Sequence, residues 1–208
     1  ESVQQIVRRV RGTKAAGYSD GLIEIDRRHA EAVVRTAVQH VAAVAQDRMI
    51  EANLDLIKAV QWHAKLDLRT SPTCRVRDGL LYTPDTHKPI GHKVPWLSGP
   101  GRSHWNCRSL ALQMLKSFEE VTGIAGVGEI PVGARASMDG ALPADLTYGQ
   151  WLQKQSAARQ DEVVGPTRGA LMREGKLPFD ELYSRRGEML TLDQLRERNG
   201  AAFKRAGV

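Results

Sequence analysis

The chain has 208 residues, 41% of them hydrophobic, which is enough to bury a sizeable core in one or two compact domains. Thirty Lys and Arg against 24 Asp and Glu leave a net charge of +6, a balance that favours polyanionic partners without specifying one. No stretch of about eighteen apolar residues occurs and the N-terminus lacks a charged-then-apolar pattern, so neither a membrane span nor a secretory leader is expected, and 2 cysteines do not make a disulfide scaffold.

Val3, Ile6, Val7 and Val10 repeat at helical spacing and predict a short helix up to Arg11, broken by the Gly-, Ser- and Asp-containing stretch 12–21. From Asp26, an N-cap residue type, Ala30, Val33, Val34, Ala37, Val38, Val41, Ala42 and Ala45 predict one long amphipathic helix reaching Met49 and Ile50. The period then changes. Val60, Trp62, Ala64 and Leu66 alternate as a half-buried strand, which leaves His63 out of phase and exposed. Asp78-Gly79 reads as a two-residue hairpin turn, with Leu80-Leu81-Tyr82 as the returning strand and Cys74 on or beside the hairpin.

Residues 83–103, with four prolines, three glycines and two histidines, predict an ordered excursion without regular structure. Leu110 and Leu112 resume alternation as a third strand, and 114–121 is read as a short helix. The stretch 123–145 is a Gly/Pro-rich connector with Gly126, Gly128 and Gly133 as its flexible points. Thr147 with Gln150 forms a capping box opening a helix expected to end near Gly165-Pro166. A short helix through Leu171 and Met172 to Gly175 follows, then a second box, Thr191 with Gln194, before a helix closing at Gly200. The fold class expected is α+β and predominantly helical: a core over 1–122, in which the long helix packs on a small antiparallel sheet, the connector 123–145, and a helical region 146–208.

Both cysteines lie in two short segments on either side of the Pro/Gly loop, Leu66 to Cys74 and Ser103 to Ser109. The S-x-x-C and H-x-x-C patterns within them have knuckle spacing, and Cys74, His104 and Cys107 supply three good zinc ligands. A fourth would come from His87, His92, an acid or water. Two other readings stand beside a structural zinc: packing and hydrogen bonds in place of a metal, or a Cys74–Cys107 disulfide, which needs Cα atoms within about 7 Å. Asp67, Arg69 and Asp78 near a histidine suggest water activation, against which Asp67 suits a turn cap, Asp78 its hairpin, and Arg69 a partner for either acid. Trp62, Trp96, Trp105 and Trp151 are read as core anchors before base-stacking groups, and Arg8-Arg9-Val10-Arg11 and Arg185-Arg186 as small basic runs that either touch DNA or form solvated faces.

The two segments resemble a family. Trp62, Asp67, Arg69, Thr70, Cys74, Asp78 and Gly79, followed by His104, Asn106, Cys107 and Arg108, are similar to the W-x-x-x-x-D-x-R-T-C-x-x-C-x-x-x-D-G and H-P-N-C-R-C segments of tailed-phage head-morphogenesis proteins, the group typified by the phage Mu F protein and the SPP1 minor capsid protein. Ser71 and Ser109 stand where that family carries its first and last cysteines, and Ala37 stands where the family's R-T-E helix has its acid after Arg35-Thr36. Further on, Trp151-Leu152 with Gln155, Gly165 with Arg168, and Leu190-Thr191-Leu192 with Leu195 resemble the tail W-L-x-x-Q, G-x-x-R and L-T-L-x-x-L of many members.

The resemblance implies a minor head protein of a tailed phage or prophage, a virion component of few copies. It implies partners in the portal and the capsid or scaffold proteins, contact with packaged DNA during packaging or ejection, and a place inside the head or at the head-tail vertex after assembly in the host cytoplasm. It implies a structural part without turnover, in which a zinc knuckle braces the sheet. The alternative is a metal-dependent nuclease or toxin-like enzyme using His104, Asn106 and an acid such as Asp67.

Overall fold

The computed structural model describes residues 1–23, 27–125 and 133–208. Asp26, expected to cap the long helix, and the connector glycines Gly126 and Gly128 lie outside the described residues. The fold is mixed α+β with substantial helix, as the sequence pattern implies.

Helix α1, Val3–Arg11, begins in a reciprocal cap between Ser2 and Gln5, and ends at Gly12, whose φ of 91° is costly for any residue with a Cβ. Its stripe of Val3, Ile6, Val7 and Val10 packs against Ala30 and Val34 of the long helix α2, Arg27–Glu51. Farther along α2 the expected apolar face separates from the core. Ala43 and Ile50 are buried, while Val33, Val38, Val41, Val44 and Met49 are exposed. A helix stripe is buried only where a neighbour lies against it, and these side chains lie along the side of α2 that no described neighbour covers.

That sheet has four antiparallel strands in the order β3-β2-β1-β4: β1 is Ile57–His63, β2 Leu81–Tyr82, β3 Pro89–Ile90 and β4 Leu110–Leu115. Trp62 faces Ala111 across β1 and β4, and Val60 faces Tyr82 across β1 and β2. The expected pairing of the Trp62 strand with Leu81-Tyr82 is present, but the two are not joined by a tight hairpin. Between them the chain makes the short helix α3, Pro72–Arg75, so Cys74 sits on a helix and not on a strand. Pro89–Ile90 adds a short strand inside the excursion 83–103, and the helix after β4 starts only at Phe118 (α4, Phe118–Thr122), capped by Ser117 with Glu120.

Part of 123–145, read as connector, is a hairpin of β5, Ala134–Ser137, and β6, Gly140–Pro143. Beyond it the Thr147–Gln150 and Thr191–Gln194 capping boxes form as their spacing requires. The single helix expected up to Gly165 is two, α5 (Tyr148–Gln153) and α6 (Ala157–Val164), because Ser156 caps a fresh start. Helix α7, Pro166–Arg173, is followed by a short 3-10 turn, Phe179–Leu182, and α8, Leu192–Ala206. The last helix runs through Gly200 with a kink at Asn199 and stops at Gly207, φ 68°.

Two main clusters form the interior. Ile50, Val60, Trp62, Tyr82, Trp96, Cys74 and Cys107 fill the space beneath the sheet. Leu66 joins Tyr148, Trp151, Leu152, Leu171, Leu182, Leu195 and Phe203 in the helical C-terminal cluster. The turn between β1 and α3 therefore serves both.

Candidate metal centre

The two cysteine-bearing segments meet. Ser71 caps α3 by accepting from the Cys74 N–H at 3.3 Å, which fixes Cys74 on the inner side of the helix. The second segment turns at Asn106, φ 55°, a left-handed conformation that Asn tolerates, and its N–H donates to Thr36 Oγ1 of α2 at 3.0 Å. Cys107 is thereby brought against Cys74, their Sγ atoms 3.7 Å apart, and both thiols are buried and unbridged.

His104 completes the group. Its Nδ1 donates to the Trp105 carbonyl at 2.9 Å, which leaves Nε2 as the lone-pair nitrogen, 3.2 Å from Cys74 Sγ and 2.8 Å from Ser71 Oγ. Among the described residues, Cys74, His104 and Cys107 are the one set of three or more His, Cys, Asp or Glu whose donor atoms lie close enough to share an ion, all within 4.8 Å. The arrangement fits zinc. Two thiolates each about 2.3 Å from a tetrahedral ion stand about 3.8 Å apart, close to the distance seen, and a metal-binding imidazole typically gives its other N–H to a backbone carbonyl.

The electrostatics of the thiols point the same way. The hydrogen bond from Cys74 draws Cys107 down to about 5, aided by the Ser109 backbone N–H, His104 and the Gly101 N–H, which lies 3.3 Å from the sulfur. Cys74 is pushed far up by its bond to Cys107 and by burial. Of the pair, Cys107 is therefore the readier to give up its proton and become the thiolate, the form that binds metal. Ser71 and Ser109 lie beside the sulfurs, each within reach of a thiol or of His104. His87 and His92, proposed as a fourth ligand, are engaged elsewhere: His87 stacks on Trp96 with centroids 4.5 Å apart, and His92 Nε2 donates to the Leu81 carbonyl. Ser71 Oγ, a weak ligand, is the oxygen that faces His104.

Around this centre the matched residues act as fasteners. Asp67 does cap its turn, accepting from the Arg69 N–H and the Thr70 hydroxyl, but its ion-pair partner is Arg108, which grips it through two nitrogens at 2.5 and 2.8 Å. Burial opposes ionisation of Asp67, yet the Arg108, Thr70 and Arg69 bonds outweigh it and hold the carboxyl below its ordinary value. Arg69, expected to pair with an acid, is exposed on the turn and contributes its backbone N–H to Asp67. Asp67 is gripped by Arg108 and does not belong to the group of donor atoms that gathers around His104 among the described residues. Three of the four tryptophans are core anchors, whereas Trp105 is 69% exposed.

Asp78 is the largest departure from expectation. It is a buried junction and not an exposed turn residue: its carboxylate accepts from the N–H groups of Ala64 and Tyr148, each at 2.7 Å, and from both terminal nitrogens of Arg135 at 2.9 and 3.0 Å. Gly79, φ 84°, follows it, and a Cβ there would meet Thr147 Cγ2 at 3.0 Å. His63 is half-buried beside this pair, where burial and the charge of Arg135 lower its pKa. Arg75 and Arg77, which sequence reasoning passed over, are buried as well and donate to the carbonyls of Val163 and Leu68, and of Pro95, Thr73 and Arg186. The run Arg75-Val76-Arg77-Asp78 between a cysteine and a glycine was the available signal. In the C-terminal region Trp151 Nε1 donates to Asp139, and Arg168 to the Leu190 carbonyl.

The model of phage Mu protein F like proteins matches residues 1–112, more than half of the chain. The chain belongs to that family. The match takes in α1, α2, the sheet as far as Leu112 and the whole Cys/His centre, so every residue of the two Mu F-like segments lies within it. It ends before the hairpin and the C-terminal helices, and the Trp151 and Arg168 motifs fall outside it. No curated protein and no solved structure matches the chain. As a Mu F-like protein it is of a phage head-morphogenesis family, with other head components as its partners in general. No helix among the described residues is long and apolar enough to cross a membrane.

Proposed function

We propose that this chain is a minor head protein, installed in few copies at the portal vertex of a tailed-phage head, where it acts in assembly and in the passage of DNA without turning over a substrate. The observation that carries the reading is the family match over 1–112, which includes the Cys/His centre. The exposed valines and Met49 along α2 support it, since an apolar helix face of this extent suits a protein partner, and the net charge of +6 suits a compartment filled with DNA.

Within this reading Cys74, His104 and Cys107 hold a structural zinc, with Ser71 or water at the fourth position. The ion would supply cross-linking between α3 and the 104–108 loop, and the Asp67–Arg108 pair closes the same two segments from outside. Quantitative mass spectrometry of infectious particles and of DNA-free proheads tests the assignment. A few copies in both is the expected result, and absence from both overturns it.

A further inference from the structure

A second concave site lies at the opposite end of α2 from the sheet, where α1 ends. Arg8, Arg11, Lys14 and Tyr18 are the charged and aromatic walls of a cavity of about 400 Å³ that no carboxylate lines. Three features shape it. Arg8 and Arg11 are one turn apart and share a face of α1, while Arg9, on another face, is neutralised by Glu1 at 2.5 Å. The Arg11 guanidinium lies 3.8 Å over the Tyr18 ring, which fixes both the cation and the wall behind it.

The helix end itself does not compete for these cations. The last-turn carbonyls of Arg8, Arg9 and Val10 accept from the N–H groups of Gly12, Leu22 and Ile23, and Asp20, the nearest acid in the loop, is taken up by the Thr13 N–H and hydroxyl at 2.7 and 2.8 Å. Arg8 and Lys14 form no ion pair among the described residues, so two cations, with Arg11 behind them, face the cavity with no carboxylate of the described residues in its lining.

We infer that this cavity is a phosphate site, binding a nucleotide unit with its phosphate against Arg8, Arg11 and Lys14 and its base toward Tyr18. Guanidinium forks match phosphate oxygens, Lys adds a mobile point charge, and an exposed tyrosine gives a stacking surface. The cavity volume admits a phosphate with its sugar and base, which distinguishes it from a bare anion dent. The inference deepens the head-protein reading by naming where DNA would be touched, yet it concerns binding in solution and stands or falls apart from the presence of the chain in particles.

The test is fluorescence anisotropy of the full chain with a labelled strand of about 20 nucleotides, the corresponding duplex and ATP as competitor, between about 50 and 200 mM KCl. Arg8→Ala and Lys14→Ala change exposed residues, and circular dichroism checks that α1 persists. Each is expected to weaken binding and to lower the slope of log K against log salt by about 0.7 for the single strand or 0.9 for the duplex for each phosphate no longer neutralised. Arg9→Ala should be neutral beyond general charge, and Tyr18→Ala should weaken binding by about five-fold or more. ATP that displaces the strand supports a single-nucleotide occupant, and ATP that fails to displace a strand whose binding needs Arg8 and Lys14 supports a polynucleotide. No binding at the lowest salt, or binding unchanged in Arg8→Ala and Lys14→Ala but lost in Arg185→Ala/Arg186→Ala, overturns the site.

Discussion

Replacing Arg135 by Met separates the two kinds of ion pair this chain contains. The Asp78 and Arg135 side chains are 0% and 3% exposed, and the carboxylate accepts four hydrogen bonds, two of them from Arg135. Methionine fills most of the volume but leaves a buried carboxylate with only the Ala64 and Tyr148 N–H groups, and stranding a buried charge in this way costs about 3–5 kcal/mol. Arg135 also donates to the carbonyls of Leu146 and Ala64, so those acceptors are left short as well and the upper half of the range applies. For a chain of this length each kcal/mol moves the melting temperature by about 2–4 °C, which places the drop at about 8–20 °C. Arg108→Met removes an equally bidentate partner from Asp67, but that arginine is 41% exposed and water takes its place, so the cost is about 0–1 kcal/mol. Parallel thermal melts followed by circular dichroism, with urea titrations for the free energies, give the comparison. Equal losses for Arg135→Met and Arg108→Met would refute the claim that burial at Asp78 joins the Mu F-like half to the C-terminal helices.

The metal centre and His63 give three further expected outcomes. Zinc at about a hundred times its dissociation constant should stabilise the chain by about 2.7 kcal/mol, a rise of about 5–11 °C, and Cys107→Ala should abolish that rise; an unchanged melt with zinc in the wild type counts against the metal. Ser71→Cys places a third thiol beside His104 Nε2 and should tighten zinc by about ten-fold or more in a competition titration, whereas no gain would mean that the fourth corner lies elsewhere. Burial and Arg135 depress His63 in the folded chain, so the unfolded chain binds its proton first. Its contribution is complete above the unfolded value of about 6.5 and is lost as pH falls toward and through the folded value, and His63→Gln should flatten the stability profile in that window while leaving stability at about pH 8 little changed.

What could be read from the chain alone was what local chemistry decides. The capping boxes at Thr147 and Thr191, the length of α2 and the candidate trio Cys74, His104 and Cys107 depend on spacing over a few residues, and the two cysteine segments were close to complete motifs. What failed depended on partners far along the sequence. Asp78-Gly79 has the composition of a solvent-facing turn, and nothing local says that Arg135, 57 residues away, and the start of α5 will close over it. His63 was placed outside because strand alternation assumes one wet face, but the Asp78–Arg135 pair lies against it. The apolar stripe of α2 was read as one amphipathic face packed on the sheet, but periodicity shows that a face seeks cover and does not say whether the cover is in the same chain. Val33, Val38, Val41, Val44 and Met49 are left without cover among the described residues. In a family that builds phage heads, the residues whose pattern and burial disagree are therefore the ones whose packing partners should be sought in another head component, and substituting Val41 by Lys should impair assembly while leaving the melting temperature of the isolated chain within about 1–2 °C of wild type.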